Sequence, residues 1–434
     1  MWTALCGGSP SCTRISSSTS KWTTDKSCER TLERKRDTHD DPISRSHPLP
    51  HTSSSVWNRA ESLSFHRGAV SDNPFQKSSI LHLWLFGYEL PDTVLLLRKD
   101  GHVSFLASKK KCAFVEPAVK AYHGGKLELL VKQKDNNEGH YDTLAAPNLE
   151  KTIGVFLKER DGNQENAGTI VAGWEARLKE ANVVDLTHGL AFVLSVKDET
   201  ELDLLKKSSV LSNKVMKHGC VKRMEEVMDK DATITHQELA DYVQGILEDP
   251  SKIDLKVDPE QVMSCYHPIV QSGGNYDLRV SAQSNSDVLS PDVITVSLGS
   301  RYLNYCSNIS RTFLVDPPKK VSETYEILLE LQDACLQAMQ PGKALKDVYQ
   351  AAVDFLDDKH PDLVAHLPKT LGFAMGLDFR DSNFLISPKG TAAIKKGMVF
   401  SLSLGLQNLE LTAADRESTP DKSPVRCWMD HGWL

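Results

Sequence analysis

Two runs of alternating apolar and small polar residues, Val293-Ile-Thr-Val-Ser297-Leu-Gly299 and Tyr305-Cys-Ser-Asn308-Ile-Ser-Arg311-Thr312-Phe313, constrain the fold of this chain more than any other stretch. Period-2 alternation sends successive side chains to opposite faces of a strand, and the short link between the runs makes them an antiparallel hairpin. Ser297 and Asn308, eleven residues apart, are then expected on adjacent strands, with facing Cβ atoms roughly 4.5–5.5 Å apart. Carboxylates so placed would share two metal ions about 3.5–4 Å apart. Neither residue carries negative charge, and hard divalent cations need anionic oxygens or imidazole to offset the loss of their water. The hairpin offers the spacing of a dinuclear site without its charge.

Further segments extend the pattern: Ser272-Gly-Gly-Asn275, Gly372-Phe373-Ala-Met-Gly376 and Gly397-Met-Val-Phe-Ser-Leu-Ser403. Together with the hairpin they resemble the pita-bread family of creatinase, prolidase, aminopeptidase P and methionine aminopeptidase. Aligned on that resemblance, the two metal aspartates become Ser297 and Asn308, the ligand His becomes Phe373 and the ligand Glu becomes Ser403. The two substrate-side His positions become Val280 and Arg380. A fifth ligand belongs on a strand beyond Leu411 that the sequence does not reveal. The resemblance implies an α+β fold: a pita-bread domain preceded by a smaller mixed α/β domain like the N-terminal domain of creatinase. It also implies a catalytically inactive, metallopeptidase-like module with no metal or other cofactor.

A closer resemblance lies in Leu83-Trp-Leu-Phe-Gly-Tyr-Glu-Leu90, Ala107-Ser-Lys-Lys-Lys111, Gln271-Ser-Gly-Gly-Asn-Tyr276, Tyr305-Cys-Ser-Asn308 and Leu371-Gly-Phe-Ala-Met-Gly376. These are similar to the N-terminal region of the large subunit of the FACT histone chaperone, over about Gln76 to Leu409. That implies core histones of the nucleosome as partners and a nuclear, chromosomal location. It implies roles in transcription elongation, DNA replication and DNA repair. The parent complex pairs with an HMG-box subunit, although the dimerisation domain, middle domain and acidic tail of the family are not in this sequence.

Composition sets outer bounds. With 40% hydrophobic and 25% charged residues the usage is that of an ordinary globular protein, and no apolar run is long enough for a membrane span. The N-terminus lacks the basic segment and apolar core of a secretory signal. Nine cysteines without a Cys-x-x-Cys pair point to reduced thiols in a cytosolic or nuclear compartment, which makes the sequon Asn308-Ile-Ser310 irrelevant. The net charge of −7 argues against nucleic-acid binding over the whole surface. It permits basic partners such as histones, though a mildly acidic surface also simply confers solubility.

Four parts are expected. Residues 1–75 carry fifteen serines and little apolar periodicity, which predicts disorder. Residues 76–190 read as the mixed α/β domain, with Thr93–Leu97 and His102–Leu106 joined at Asp100-Gly101 as a hairpin, a buried strand at 152–156, and Trp84 and Phe86 in the core. Residues 191–409 form the pita-bread domain, in which Thr235-His-Gln-Glu238 caps a helix and apolar stripes mark helices over 325–339 and 348–356. Residues 410–434 read as a loop-like tail, leaving an unpaired sheet edge where closing strands belong.

No Gly-x-Ser-x-Gly elbow, phosphate loop or His-Glu-x-x-His helix offers other chemistry. The degenerate positions Val280, Ser297, Asn308, Phe373, Arg380 and Ser403 form a candidate peptide-binding cleft, with Arg380 suited to a carboxylate. The alternatives are that Phe373, Val280 and Ser403 merely fill vacated space, or that the Lys109–Lys111 run is the contact surface. Two other readings of the whole chain are an active metallo-aminopeptidase and a non-functional truncated copy.

Overall fold

The fold follows from two sheets whose strands carry apolar residues at every second position. The computed structural model describes residues 56–69, 73–121, 126–134, 136–146, 148, 150–160, 169–274, 276–277, 279, 281–291, 293–409 and 425–432. Of these, residues 117–121 and 425–432 are described as backbone only.

In the N-terminal lobe, strands β1 (Ser62–Arg67), β2 (Thr93–Arg98), β3 (Val103–Ala107), β4 (Leu127–Val131), β5 (Thr152–Val155) and β6 (Asn182–Asp185) pair in the order β4-β3-β2-β1-β5-β6. The hairpin expected at Asp100-Gly101 joins β2 to β3, with Gly101 at φ 81°. Glycine supplies that left-handed conformation without the Cβ clash. Alternation puts Leu63, Phe65 and Leu95 into one core with Trp84 of helix α1 (Lys77–Phe86). Val94, Leu96 and Ile153 enter a second core around Trp174 on the other face. Two covered faces make this lobe three-layered.

One charge-bearing side chain lies deep in α1. His82 is fully buried; its Nδ1 accepts from the Leu90 N–H at 3.3 Å and its Nε2 has no partner. Burial first, and then the charges of Arg67 and Lys111, push its pKa down to about 3. It is neutral wherever the lobe is folded at ordinary pH.

The expectation of disorder through residue 75 is corrected at β1. That strand lies between β2 and β5 and is buried along its whole length. Ser62, Ser64 and His66 interrupt the apolar signal, yet Ser64 is matched inside: its Oγ accepts from Trp174 Nε1 at 2.8 Å. Arg34–Arg36 and the rest of residues 1–55 lie outside the described residues.

The second lobe is an eight-stranded sheet. Strands β7 (Val262–Gln271), β8 (Val293–Tyr302), β9 (Tyr305–Cys306), β10 (Ile309–Leu314), β11 (Gly372–Ala374), β12 (Asp381–Leu385), β13 (Phe400–Leu409) and β14 (Val425–Gly432) run β12-β11-β13-β14-β10-β8-β7, with β9 on β8. Helices α2 (Lys109–Ala121), α3 (Glu138–Ala145), α4 (Ile170–Leu178) and α5 (Thr187–Ser195) belong to the first part of the chain. The second lobe adds α6 (Glu199–Lys214), α7 (His236–Glu248), α8 (Lys319–Ala338) and α9 (Leu345–Lys359). Helices α8 and α9 share a core with β13, and the α6–α7 region shares one with β8. The predicted capping box forms: Thr235 Oγ1 accepts from the Glu238 N–H at 3.1 Å, and Glu238 Oε2 accepts from the Thr235 N–H at 2.8 Å.

The loop-like tail is also corrected. Backbone 425–432 is a strand inserted between β13 and β10, so the sheet has no unpaired edge there. The Pro- and Ser-containing run before it masks the short alternation of Val425, Cys427 and Met429. Among the described residues no helix is long and apolar enough to cross a membrane.

Candidate functional site

The basin floor is built by β8, β10 and β13, whose apolar residues face the helices and whose small polar residues face the other way. The register corrects one expectation. Ser297 faces Ser310, and Asn308 lies two residues before that pair. The Ser297 and Ser310 hydroxyls hydrogen-bond to each other, and both residues are buried. Asn308, 4% exposed, accepts at Oδ1 from the Tyr266 hydroxyl at 2.5 Å and donates from Nδ2 to Ser401 Oγ at 3.5 Å. Ser403 follows on β13, its N–H bonded to the Leu371 carbonyl at 2.8 Å. Asp430 of β14 stands in register with both Ser403 and Ser310.

The wall is aromatic. Phe373 begins a row of rings: Phe373 to Phe379 at 5.7 Å, Phe379 to Tyr266 at 5.3 Å and Phe379 to Phe75 at 6.1 Å between centroids. Arg380 is exposed and stacks on Phe373, its Cζ 5.4 Å from the ring centroid. Arg301 is 3% exposed and stacks on Phe75 at 5.2 Å. Sequence reading assigned Ser297, Asn308, Phe373, Arg380 and Ser403 to one basin; in the structure Ser297, Asn308 and Phe373 are buried, and Arg380 lies over Phe373. Val280 lies outside the described residues. Phe75, Tyr266, Arg301, Ser310 and Phe379 were missed, because nothing local marks an aromatic or arginine as a neighbour of a residue far away in the chain.

Among the residues whose side chains are described, the donor set does not fit a pair of divalent cations. Two hydroxyls bonded to each other, an amide bonded to a phenol and a phenylalanine ring offer no anion and no imidazole. Among the described residues no three His, Cys, Asp or Glu come together. Lys77, Ile80, Leu190, Met375 and Asp378 line part of a small cleft where the lobes meet. Burial raises the Asp378 pKa, and its ion pair with Lys77 works against that rise.

Of the Lys109–Lys111 run, Lys109 and Lys110 are exposed. Lys111 donates its Nζ to the Pro91 carbonyl, and burial lowers its pKa. Cys112, Cys220, Cys265, Cys306 and Cys335 are buried free thiols, with Cys220 and Cys335 pushed up to about 12 by burial. Thiols held that far from ionisation are poor nucleophiles. Ser208 and Ser212 of α6 interlock with Ser300 and Ser307 through hydroxyl contacts of 2.6–3.3 Å, seating the helix on the sheet.

Comparison with known proteins agrees with this geometry. Residues 203–423 match the model of metallopeptidase family M24, and residues 45–189 match the FACT complex subunit SPT16 N-terminal lobe domain. The second match starts well before Gln76, so the likeness extends further toward the N-terminus than the sequence motifs suggested. FACT complex subunit SPT16 of Arabidopsis thaliana is 35% identical over 84% of this chain and 35% of its own length. The Dictyostelium discoideum protein of the same name is 34% identical over 82% of this chain and 34% of its own. The chain thus spans about a third of the curated relatives it matches.

The solved N-terminal domain of SPT16 from Cicer arietinum superposes with a TM-score of 0.78 at 30% identity, covering 93% of this chain and 92% of that one. The corresponding Eremothecium gossypii domain gives 0.79 at 30% identity, covering 94% and 93%. X-Pro aminopeptidase from Thermotoga maritima shares the fold, with a TM-score of 0.60 at 17% identity over 88% and 96%. The chain belongs to the SPT16 N-terminal domain family, an N-terminal lobe joined to an M24 peptidase-like domain.

Proposed function

We propose that this chain is a non-catalytic module of a FACT-type histone chaperone. In this reading it binds core histones in the nucleus, on chromosomes, and contributes to nucleosome reorganisation during transcription elongation, DNA replication and DNA repair. The HMG-box subunit enters as partner of the parent protein. The boundaries 76–190 and 191–409 stand as the working division, with the first lobe extended back to include β1.

One observation carries the reading of inactivity: Ser297, Asn308, Phe373 and Ser403 stand at four of the metal positions that the resemblance implies, and three are tied into hydroxyl, amide and aromatic contacts. Water activation in this fold needs a cation that lowers the pKa of its bound water, and these donors supply no charge to hold one. The cleft at Val280, Ser297, Asn308, Phe373, Arg380 and Ser403 then retains a peptide without cleaving it.

Two measurements test this. Pull-down of core histones by the purified chain, beside a competent family member, supports the chaperone reading if histones are retained and sinks it if they are not. Elemental analysis with a manganese-supplemented peptidase assay addresses inactivity. Stoichiometric metal, with turnover abolished by Asn308→Ala, would establish an enzyme instead.

A further inference from the structure

We infer that the chain latches its own basin shut: residues 73–77 of the first lobe, with Phe75 as the plug, close over the floor, and a ligand reaches it only when that latch opens. The inference deepens the reading of the basin as a cleft that binds without cleaving, and rests on it only for the existence of a ligand.

Two side chains cross the junction between the lobes in opposite directions. Phe75 comes from the first lobe and packs against the second lobe's cluster of Cys265, Cys306, Phe373 and Phe379. Leu377, on the link from β11 to β12, is buried in the first lobe's core with Phe65 and Trp84. Behind Phe75 the rings lead to the floor: Phe379 lies at 6.1 Å, Tyr266 lies 5.3 Å from Phe379, and the Tyr266 hydroxyl donates to Asn308 Oδ1. Ser297, Asn308 and Phe373 are all buried in this arrangement.

Charge reinforces the plug. Arg301 is 3% exposed and lies over the Phe75 ring at 5.2 Å, and its Nε has no partner among the described residues. The ring face stabilises a guanidinium that water does not reach. Without the ring, the same buried cation favours hydration and opening. Beside it, Lys77 Nζ donates to Asp378 Oδ2 across the junction. The first-lobe side is tied down, because Gln76 Oε1 accepts from Arg67 Nη1 and Glu159 accepts from the Lys77 and Ser78 N–H groups. Each lobe also keeps a core built wholly from its own residues. A junction of a few side chains between two such bodies opens without unfolding either.

Buried thiols test this in the full chain. Cys265 and Cys306 lie in the plugged cluster, Cys112 in the first lobe's core, and Cys220 and Cys335 in the helix-covered cores of the second lobe. Alkylation by iodoacetamide is followed at each cysteine by peptide mass spectrometry. In Phe75→Ala, Cys265 and Cys306 should react at least about tenfold faster, which takes only part of the stabilisation that a buried aromatic ring supplies. Cys112, Cys220 and Cys335 should keep their rates. Phe75→Leu, which retains apolar bulk and loses the ring face, should fall between; a cooperative melt verifies folding, and this variant stands in if Phe75→Ala does not fold. The double reversal Lys77→Asp with Asp378→Lys should be better protected than Lys77→Asp alone. Unchanged rates at Cys265 and Cys306, equal acceleration of all five thiols, acceleration at Cys112 alone, or a double reversal no better protected than Lys77→Asp would each overturn the inference. Thiol protection is read on the free chain, so an unselective profile leaves the chaperone reading standing, and failure to retain histones leaves the latch standing.

Discussion

The two faces of the second sheet have opposite characters although the same strands build both. Toward the helices, β8 presents Ile294, Val296 and Leu298 and β13 presents Phe400, Leu402, Leu404 and Leu406, all in continuous apolar cores. Toward the basin the intervening positions are Thr295, Ser297, Ser401 and Ser403. Strand geometry decouples the faces, because residues one apart never share an environment. One face can hold the fold while the other changes its chemistry.

The contrast is broken most severely by attacking the helix-facing side. Leu404→Ala, at a site 1% exposed, should cost about 2–5 kcal/mol through lost burial and the cavity left behind. Urea unfolding measures it, and a loss near zero would mean that the two faces are not energetically distinct.

A second prediction takes the contrast to the N-terminal lobe, where a titratable group sits inside a core. His82 has a folded pKa of about 3 against 6.5 when free, so between those values the unfolded chain binds the proton and the folded one does not. Stability from this residue is complete above about pH 6.5 and is lost as pH falls toward 3, on the order of a few kcal/mol. Urea midpoints between pH 7 and 4.5 should fall less steeply in His82→Leu. Equal slopes would show that the group is not buried as described.

Smaller effects are expected where single polar bonds are removed. Thr235→Ala takes away the side-chain cap of α7 and should cost about 1 kcal/mol, read from the melting temperature. Ser297→Ala, on the basin floor, removes one side of the Ser297–Ser310 hydroxyl pair and should cost about 1 kcal/mol or less. A loss as large as that of Leu404→Ala would show the basin face to be a core in its own right.

Much of this was legible in the chain because its causes are local. The capping box at Thr235 needs only four consecutive residues, and the hairpin at Asp100-Gly101 only a glycine between two alternating runs. The helix expected over 325–339 forms as Lys319–Ala338, ending just before Pro341-Gly342. Strands β1 and β14 were illegible for a shared reason. Each is held by neighbours distant in sequence, and each lies in or beside a serine- and proline-containing stretch that locally resembles a loop. The partner of Ser297 was misjudged because the register of β8 against β10 sets it, and a count of intervening residues cannot.

Sequence alone determined the character of these positions: a serine, an asparagine and a phenylalanine stay uncharged in any fold, so the absence of anionic side chains there was fixed before folding. Tertiary structure decided what the same positions do instead. Only pairing over long chain separations could bring Tyr266 to Asn308, line up Phe75, Phe379 and Phe373, and set an arginine at either end of that row. Such contacts depend on sheet register and lobe packing, which no short stretch of residues encodes.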